Sequence, residues 1–297
     1  GNGLTRPCPT VLPQLPNDVK VAFWHAGGNW GDLWDPIQEH RLKSFEQLLQ
    51  KNMTIIGMPQ SFHYNNPEKE VDHVKLMKES IARGLGVDMA TSKGLALVKQ
   101  RVFLAWREHE SYEKAVRRYP FVQNRLMPDI ALQLGPFQPI PSKPDMMKDI
   151  MLLLRDDHES KSKQIRDTEA IQKALNQIPG GTTYSFVVGD WWDRIKWFKL
   201  EDTVSNNLFT SSSIQLLSLG KILIADRLHA TILAYLSGIP VIYVDQKTKK
   251  ISRTFGLALQ SWEGCKDSDK SMVFEAGSVE QALAIAVKFL ERYNKKP

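Results

Sequence analysis

The chain has 297 residues, 42% of them hydrophobic and 24% charged, which is room for two domains with an ordinary folded composition. Its net charge of +6 is scattered. The densest clusters are Arg117-Arg118, 247–250 and Lys295-Lys296, with no basic stripe interleaved with aromatics, so no nucleic-acid partner is expected. No run reaches the ~18 apolar residues of a membrane helix, so no membrane contact is expected of this fragment.

Residues 1–18 are rich in Pro, Gly and Asn and read as an extended arm. Val19 to Trp24 is a short strand, followed by a glycine-rich loop at 26–32. Its spacing matches neither a dinucleotide fingerprint nor a phosphate-binding P-loop. Asn29 and Asp32 are candidates to bind acceptor hydroxyls or to cap the next helix. That helix spans about Asp35 to Leu49, with Ile37, Leu42, Phe45, Leu48 and Leu49 at helical spacing. A strand at Thr54 to Met58 ends at Pro59-Gln60-Ser61, and a helix follows at Glu68 to Ala82. The strand Val102 to Trp106 delivers Arg107-Glu108-His109-Glu110-Ser111 to its carboxyl end, ahead of a helix at Tyr112 to Arg118. Carboxylates and an arginine around His109 suit acid–base work, and the same residues suit a polar helix start. Arg125 to Leu132 reads as a short edge strand with Pro128-Asp129.

Four prolines between Gly135 and Pro144 mark a linker, giving domains at 19–140 and 141–297. The second half repeats the rhythm of strand and helix, with strands at Ile150 to Leu154 and Thr183 to Val188 and helices at Asp167 to Gln177 and Leu208 to Leu219. The closing helix, 278–293, is amphipathic and can pack back toward the first domain. Both halves are therefore expected to be α/β layers on parallel sheets. Phe103 to Ser111 and Leu152 to Ser160 are loosely alike: an apolar strand, then Arg, acid, His, Glu and Ser.

The densest chemistry lies at Asp226-Arg227-Leu228-His229, between the apolar runs Lys221 to Ile224 and Ile232 to Leu236. A strand's carboxyl end meets a helix's amino end there, the usual ligand crevice of open α/β sheets. Arg227 needs an anion, either a ligand or Asp226. Arg155, at the end of another strand, is a second anion-binding candidate. Ser212 and Ser213 lie in the run Thr210 to Ser213, which suits a helix cap or a phosphate. Trp191, with Trp192, Trp197 and Phe198, offers a sugar platform or an aromatic core. The seven histidines and two cysteines fall in no metal-ligand spacing, and there is no nucleophile elbow. Cys8 and Cys265 could pair only if the N-terminal arm lies on the second domain, and Asn52-Met53-Thr54 is a glycosylation sequon.

Taken in order, Gly-Gly-Asn-Trp-Gly-Asp (27–32), Pro-Gln-Ser (59–61), Arg-Glu-His-Glu-Ser (107–111), Pro-Asp (128–129), Leu-Arg-Asp (154–156), Asp-Arg-Leu-His-Ala (226–230) and Gly-Ile-Pro-Val-Ile (238–242) resemble the polysaccharide pyruvyl transferase family. The chain is most similar to fungal members that cap β-linked galactose on cell-surface glycans. It departs at Ala26, where many bacterial members carry a further glycine. The resemblance implies two Rossmann-like domains facing a cleft, as in GT-B glycosyltransferases. It implies phosphoenolpyruvate as donor substrate with no cofactor or metal, and a galactose-terminated glycan as acceptor. Arg155, Arg227, Leu228, His229, Ser212 and Ser213 would bind the donor. Asn29, Asp32, Ser61, Arg107, His109 and Trp191 would bind the acceptor. His229 would serve as acid, and His109 as base or acceptor ligand. It further implies a Golgi-lumenal setting behind an N-terminal anchor absent from this fragment, or a cytoplasmic one for a bacterial member. A nucleotide-sugar glycosyltransferase and a non-catalytic glycan-binding module are the alternatives.

Overall fold

The computed structural model describes residues 18–138, 146–155, 167–191, 206–245, 249–261 and 272–294. The expected arm at 1–18, apart from Asp18, lies outside them, as do Cys8, Cys265, Trp192, Trp197, Phe198 and the His-Glu-Ser of 158–160. The chain divides into two compact units, Gly1–Ile130 and Ala131–Pro297.

The first unit is built on one parallel sheet of β1 (Val21–Trp24), β2 (Gly27–Gly31), β3 (Thr54–His63), β4 (Val102–Trp106) and β5 (Gln123–Leu126). Its order is β1-β3-β4-β5, with β2 also on β3. β1 pairs with Thr54–Gly57 and β2 with Gln60 to His63, so the two lie end to end along one edge of β3. The glycine-rich segment is therefore a strand, where the sequence predicts a loop. Its glycines serve a close backbone approach. At Gly31, where φ is +137°, a Cβ would lie 1.6 Å from the carbonyl oxygen of His63. β3 also outruns its predicted end and passes through Pro59. The β3–β4 register shifts between Gly57 and Gln60, which tolerates a residue without an N–H.

Helices α1 (Asp35–Gln50), α2 (Pro67–Leu85), α3 (Ser92–Arg101) and α4 (His109–Arg118) complete this unit. α1 buries Leu42, Phe45, Leu48 and Leu49, the stripe visible in the sequence. α3 has no sequence counterpart because only Gly94 and Val98 are buried, too thin a stripe to show a period. Its start is marked instead by Thr91, whose hydroxyl accepts from the Gly94 N–H at 3.0 Å. Trp30, Phe62, Trp106 and Tyr119 form an edge-on and stacked aromatic centre.

The second unit holds β6 (Lys148–Leu153), β7 (Phe186–Gly189), β8 (Gly220–Ala225), β9 (Val241–Val244) and β10 (Val273–Ala276), all parallel, in the order β10-β9-β8-β6-β7. Helices α5 (Thr168–Asn176), α6 (Asn206–Leu217), α7 (Leu228–Leu236), α8 (Lys250–Ser261) and α9 (Val279–Asn294) accompany it. Alternate strand residues point to opposite faces, and both faces are covered. Ile150, Leu152, Ile222, Ile224 and Ile242 meet α5 and α9. Met151, Leu153, Leu223, Ala225 and Val241 meet α6 and α7. Burial on both sides explains why these strands read as unbroken apolar runs.

One boundary differs from expectation. Leu132 packs with Leu228, Ile232 and Phe255, and the Phe137 N–H donates to the Leu236 carbonyl at 2.7 Å. The chain thus joins the second unit before the proline-rich segment. The closing helix α9 buries Val279, Ala282, Leu283, Ala286, Val287 and Leu290 in the core of its own unit. Each unit is Rossmann-like: a parallel sheet with its crossover helices.

Candidate functional site

In the second unit the chain enters at β6, crosses to β7 on one side and then to β8 on the other. Between β6 and β8 the crossover direction reverses, which opens a crevice at the strands' carboxyl ends. Arg155, half-buried, lies two residues beyond β6, and its backbone N–H donates to Asp226 Oδ1 at 2.8 Å. Asp226 is thus engaged by backbone. Arg227 is ion-paired with Asp190, one residue beyond β7: Nη2 donates to Oδ2 at 2.7 Å, and Nε lies 2.6 Å from Oδ1. Arg227 is also the N-cap of α7. The first helical bond runs from the Thr231 N–H to the Arg227 carbonyl at 3.0 Å. The N–H groups of Leu228, His229 and Ala230 precede it at the positive end of the helix. The Leu228 side chain is buried in an apolar cluster, which leaves its backbone N–H as the group it can offer an anion. His229 is exposed in the first turn. Ser212 and Ser213 are buried two turns into α6, which excludes the capping role. Trp191 is half-buried against the core, and its backbone N–H donates to Asp190 Oδ1 at 2.6 Å.

In the first unit the predicted residues divide. Ser61, Arg107, Glu108 and Asp129 converge at the ends of β3, β4 and β5 in a buried network. Arg107 Nε donates to Ser61 Oγ at 2.8 Å and Nη1 to Asp129 Oδ2 at 2.7 Å, while the Ser61 hydroxyl donates to Glu108. Ser111 Oγ accepts the Phe62 N–H at 2.9 Å. His109 stands just outside this network, exposed at the first position of α4. Asn29 and Asp32 hold structure. Asn29 Oδ1 accepts from Arg41 at 2.8 Å. The Asp32 carboxylate accepts the N–H groups of Asn65 and Asn66 at 2.7–2.9 Å, fixing the approach to α2. Arg41 is fully buried, with its guanidinium 4.3 Å from the Trp30 ring centroid. Burial pulls its pKa down to about 10.

The sequence pattern of the polysaccharide pyruvyl transferase family matches residues 6–248, most of the chain. The chain belongs to that family. It is similar to pyruvyl transferase 1 of Schizosaccharomyces pombe, 27% identical over 296 aligned residues. That alignment covers 95% of this chain and 64% of the yeast protein, less than two thirds of its length. A functionally uncharacterised protein of Klebsiella pneumoniae is similar at 18% identity and a TM-score of 0.42, over 81% of this chain and 72% of that one.

Membership does not make every motif residue a ligand. Of the family motifs in this chain, Asp-Arg-Leu-His and Leu-Arg lie at the switch-point crevice, whereas Gly-Gly-Asn-Trp-Gly-Asp shapes a sheet edge. Sequence reasoning missed Asp190. Its signal is a charged residue directly after the strand Phe-Val-Val-Gly, the same strand-end placement as Arg155 and Asp226. It also missed Arg41, which reads as an ordinary charge on an amphipathic helix. Among the described residues, no three His, Cys, Asp or Glu are grouped to hold a metal, and no helix is long and apolar enough to cross a membrane.

Proposed function

We propose that this chain transfers the pyruvyl group of phosphoenolpyruvate onto two hydroxyls of a terminal β-galactose, forming a cyclic ketal and releasing phosphate. The observation that carries the reading is the pair Arg155 and Arg227 at the carboxyl ends of β6 and β8, beside the amino end of α7. Two guanidinium groups and a helix amino end suit a small molecule carrying a carboxylate and a phosphate. In the reaction C3 gains a proton and becomes a methyl group, and C2 accepts one sugar oxygen. The second sugar oxygen then displaces phosphate from C2. A general acid and a general base are needed. His229, exposed beside the helix end, is assigned as acid. His109, exposed at the end of β4, is assigned to the acceptor as ligand or base. The donor is a substrate, and no cofactor is assigned. A Golgi-lumenal setting is part of the same proposal, and the exposed sequon residue Asn52 is compatible with it.

The test incubates the protein with phosphoenolpyruvate and a β-galactoside, following phosphate release and the new ketal methyl signal by NMR. Both should appear in equal amounts, and Arg227→Ala or His229→Ala should lower the rate at least 100-fold with the fold intact. Wild-type turnover in either variant would sink the assignment. Consumption of a nucleotide sugar in place of phosphoenolpyruvate would make the protein a glycosyltransferase, and galactoside binding without phosphate release would make it a binding module.

A further inference from the structure

One partner of Arg227 comes from an unexpected place. β7 and β8 are not neighbours, because β6 lies between them. Asp190 follows β7 and Arg227 follows β8, so their ion pair reaches over the carboxyl end of β6, across the mouth of the switch-point crevice. Both side chains are largely buried, at 15% and 10% exposure. Arg227 Nη2 donates to Asp190 Oδ2 at 2.7 Å and Oδ1 lies 2.6 Å from Nε, so the carboxylate stands along one edge of the guanidinium and restrains its orientation. Asp190 is in turn held by the Trp191 backbone N–H at 2.6 Å.

We propose that Asp190 is a positioning residue for donor transfer. It aims Arg227 at the anion of phosphoenolpyruvate, and its own negative charge weakens binding of that anion in the ground state. The proposal rests on the reading of Arg227 as a donor ligand. Two effects of opposite sign follow. A carboxylate beside the anion site opposes a second anion across a poorly screened, partly buried space. The same carboxylate keeps the guanidinium in one orientation, which the reacting geometry requires. Asp190→Asn preserves shape while removing the charge and the charge assistance of the Nη2 hydrogen bond. It should therefore bind anions more tightly and turn over more slowly. A residue that merely stabilised the fold would lower the active fraction and leave the affinity of that fraction unchanged.

The experiment titrates inorganic phosphate calorimetrically into wild type, Asp190→Asn, Asp190→Glu and Arg227→Ala, and measures kcat and KM for phosphoenolpyruvate. Asp190→Asn should bind phosphate about tenfold more tightly and lose at least tenfold in kcat, with KM falling as well. Asp190→Glu keeps the charge and shifts it by one methylene. It should hold phosphate within about twofold of wild type while kcat falls, and it serves as the second arm where Asp190→Asn is poorly folded. Unchanged or weaker phosphate binding in Asp190→Asn, or a tenfold change in Asp190→Glu, would overturn the role of Asp190 alone. Wild-type phosphate binding in Arg227→Ala would overturn the donor reading itself.

Discussion

Arg107 shows how a motif residue can be tied into the fold. It is buried against Asp129 and Ser61, and Glu108 closes the same network. Removing one member of a buried ion pair leaves the other charge desolvated and uncompensated. Arg107→Ala or Asp129→Ala should therefore cost about 3–5 kcal/mol of stability, read by urea denaturation. Loss of activity in these variants would report the fold before the chemistry. His109, one residue beyond Glu108, is exposed, so His109→Ala should leave the denaturation midpoint nearly unmoved. A midpoint shift as large as that of Arg107→Ala would place His109 in the structural network. Arginine, acid and histidine stand side by side in the sequence. Which of them faces inward depends on where the strand ends and on which neighbouring strands supply partners.

At the scale of elements, β2 is the instructive case. Glycine-rich segments after strands usually read as turns, and this one lengthens a sheet. The cause is a long β3, whose second half offers an edge that β1 leaves uncovered. Gly31→Ala should destabilise the protein by at least about 3 kcal/mol, since a Cβ at positive φ would also collide with the His63 carbonyl. A Tm within a degree of wild type would contradict that geometry. In the second unit Asp149 ties β6 to its neighbours. It accepts from Lys221 Nζ and from the N–H and hydroxyl of Ser185, each at 2.8 Å. Burial raises its carboxyl pKa, but these bonds outweigh burial and hold it below the usual carboxylate range. Its folded pKa is depressed, so its contribution is present above the unfolded value of ~3.9 and is lost as pH falls through the folded value. Wild type should thus be more stable than Asp149→Asn at pH 6, with the gap closing below about pH 4; a gap unchanged at pH 2 would reject this sign.

At the scale of the molecule, each unit has its own sheet and its own apolar core. Residues 131–297 expressed alone should fold cooperatively and bind inorganic phosphate, with Arg227→Ala abolishing the binding while the fold persists. A chain that unfolds without residues 1–130 would show that the core of the second unit is insufficient. Strand and helix alternation, the apolar runs of β6, β8 and β9, and the placing of Arg155, Arg227 and His229 at strand ends were all legible in the residues. Those features follow from local periodicity and from burial on two faces, which composition records directly. The tertiary structure alone decided that Asp190 meets Arg227, that β2 is a strand, and that Asn29 and Asp32 serve the backbone and Arg41. Each of these joins residues 12 to 37 positions apart, a pairing set by strand order and register, which no local pattern encodes.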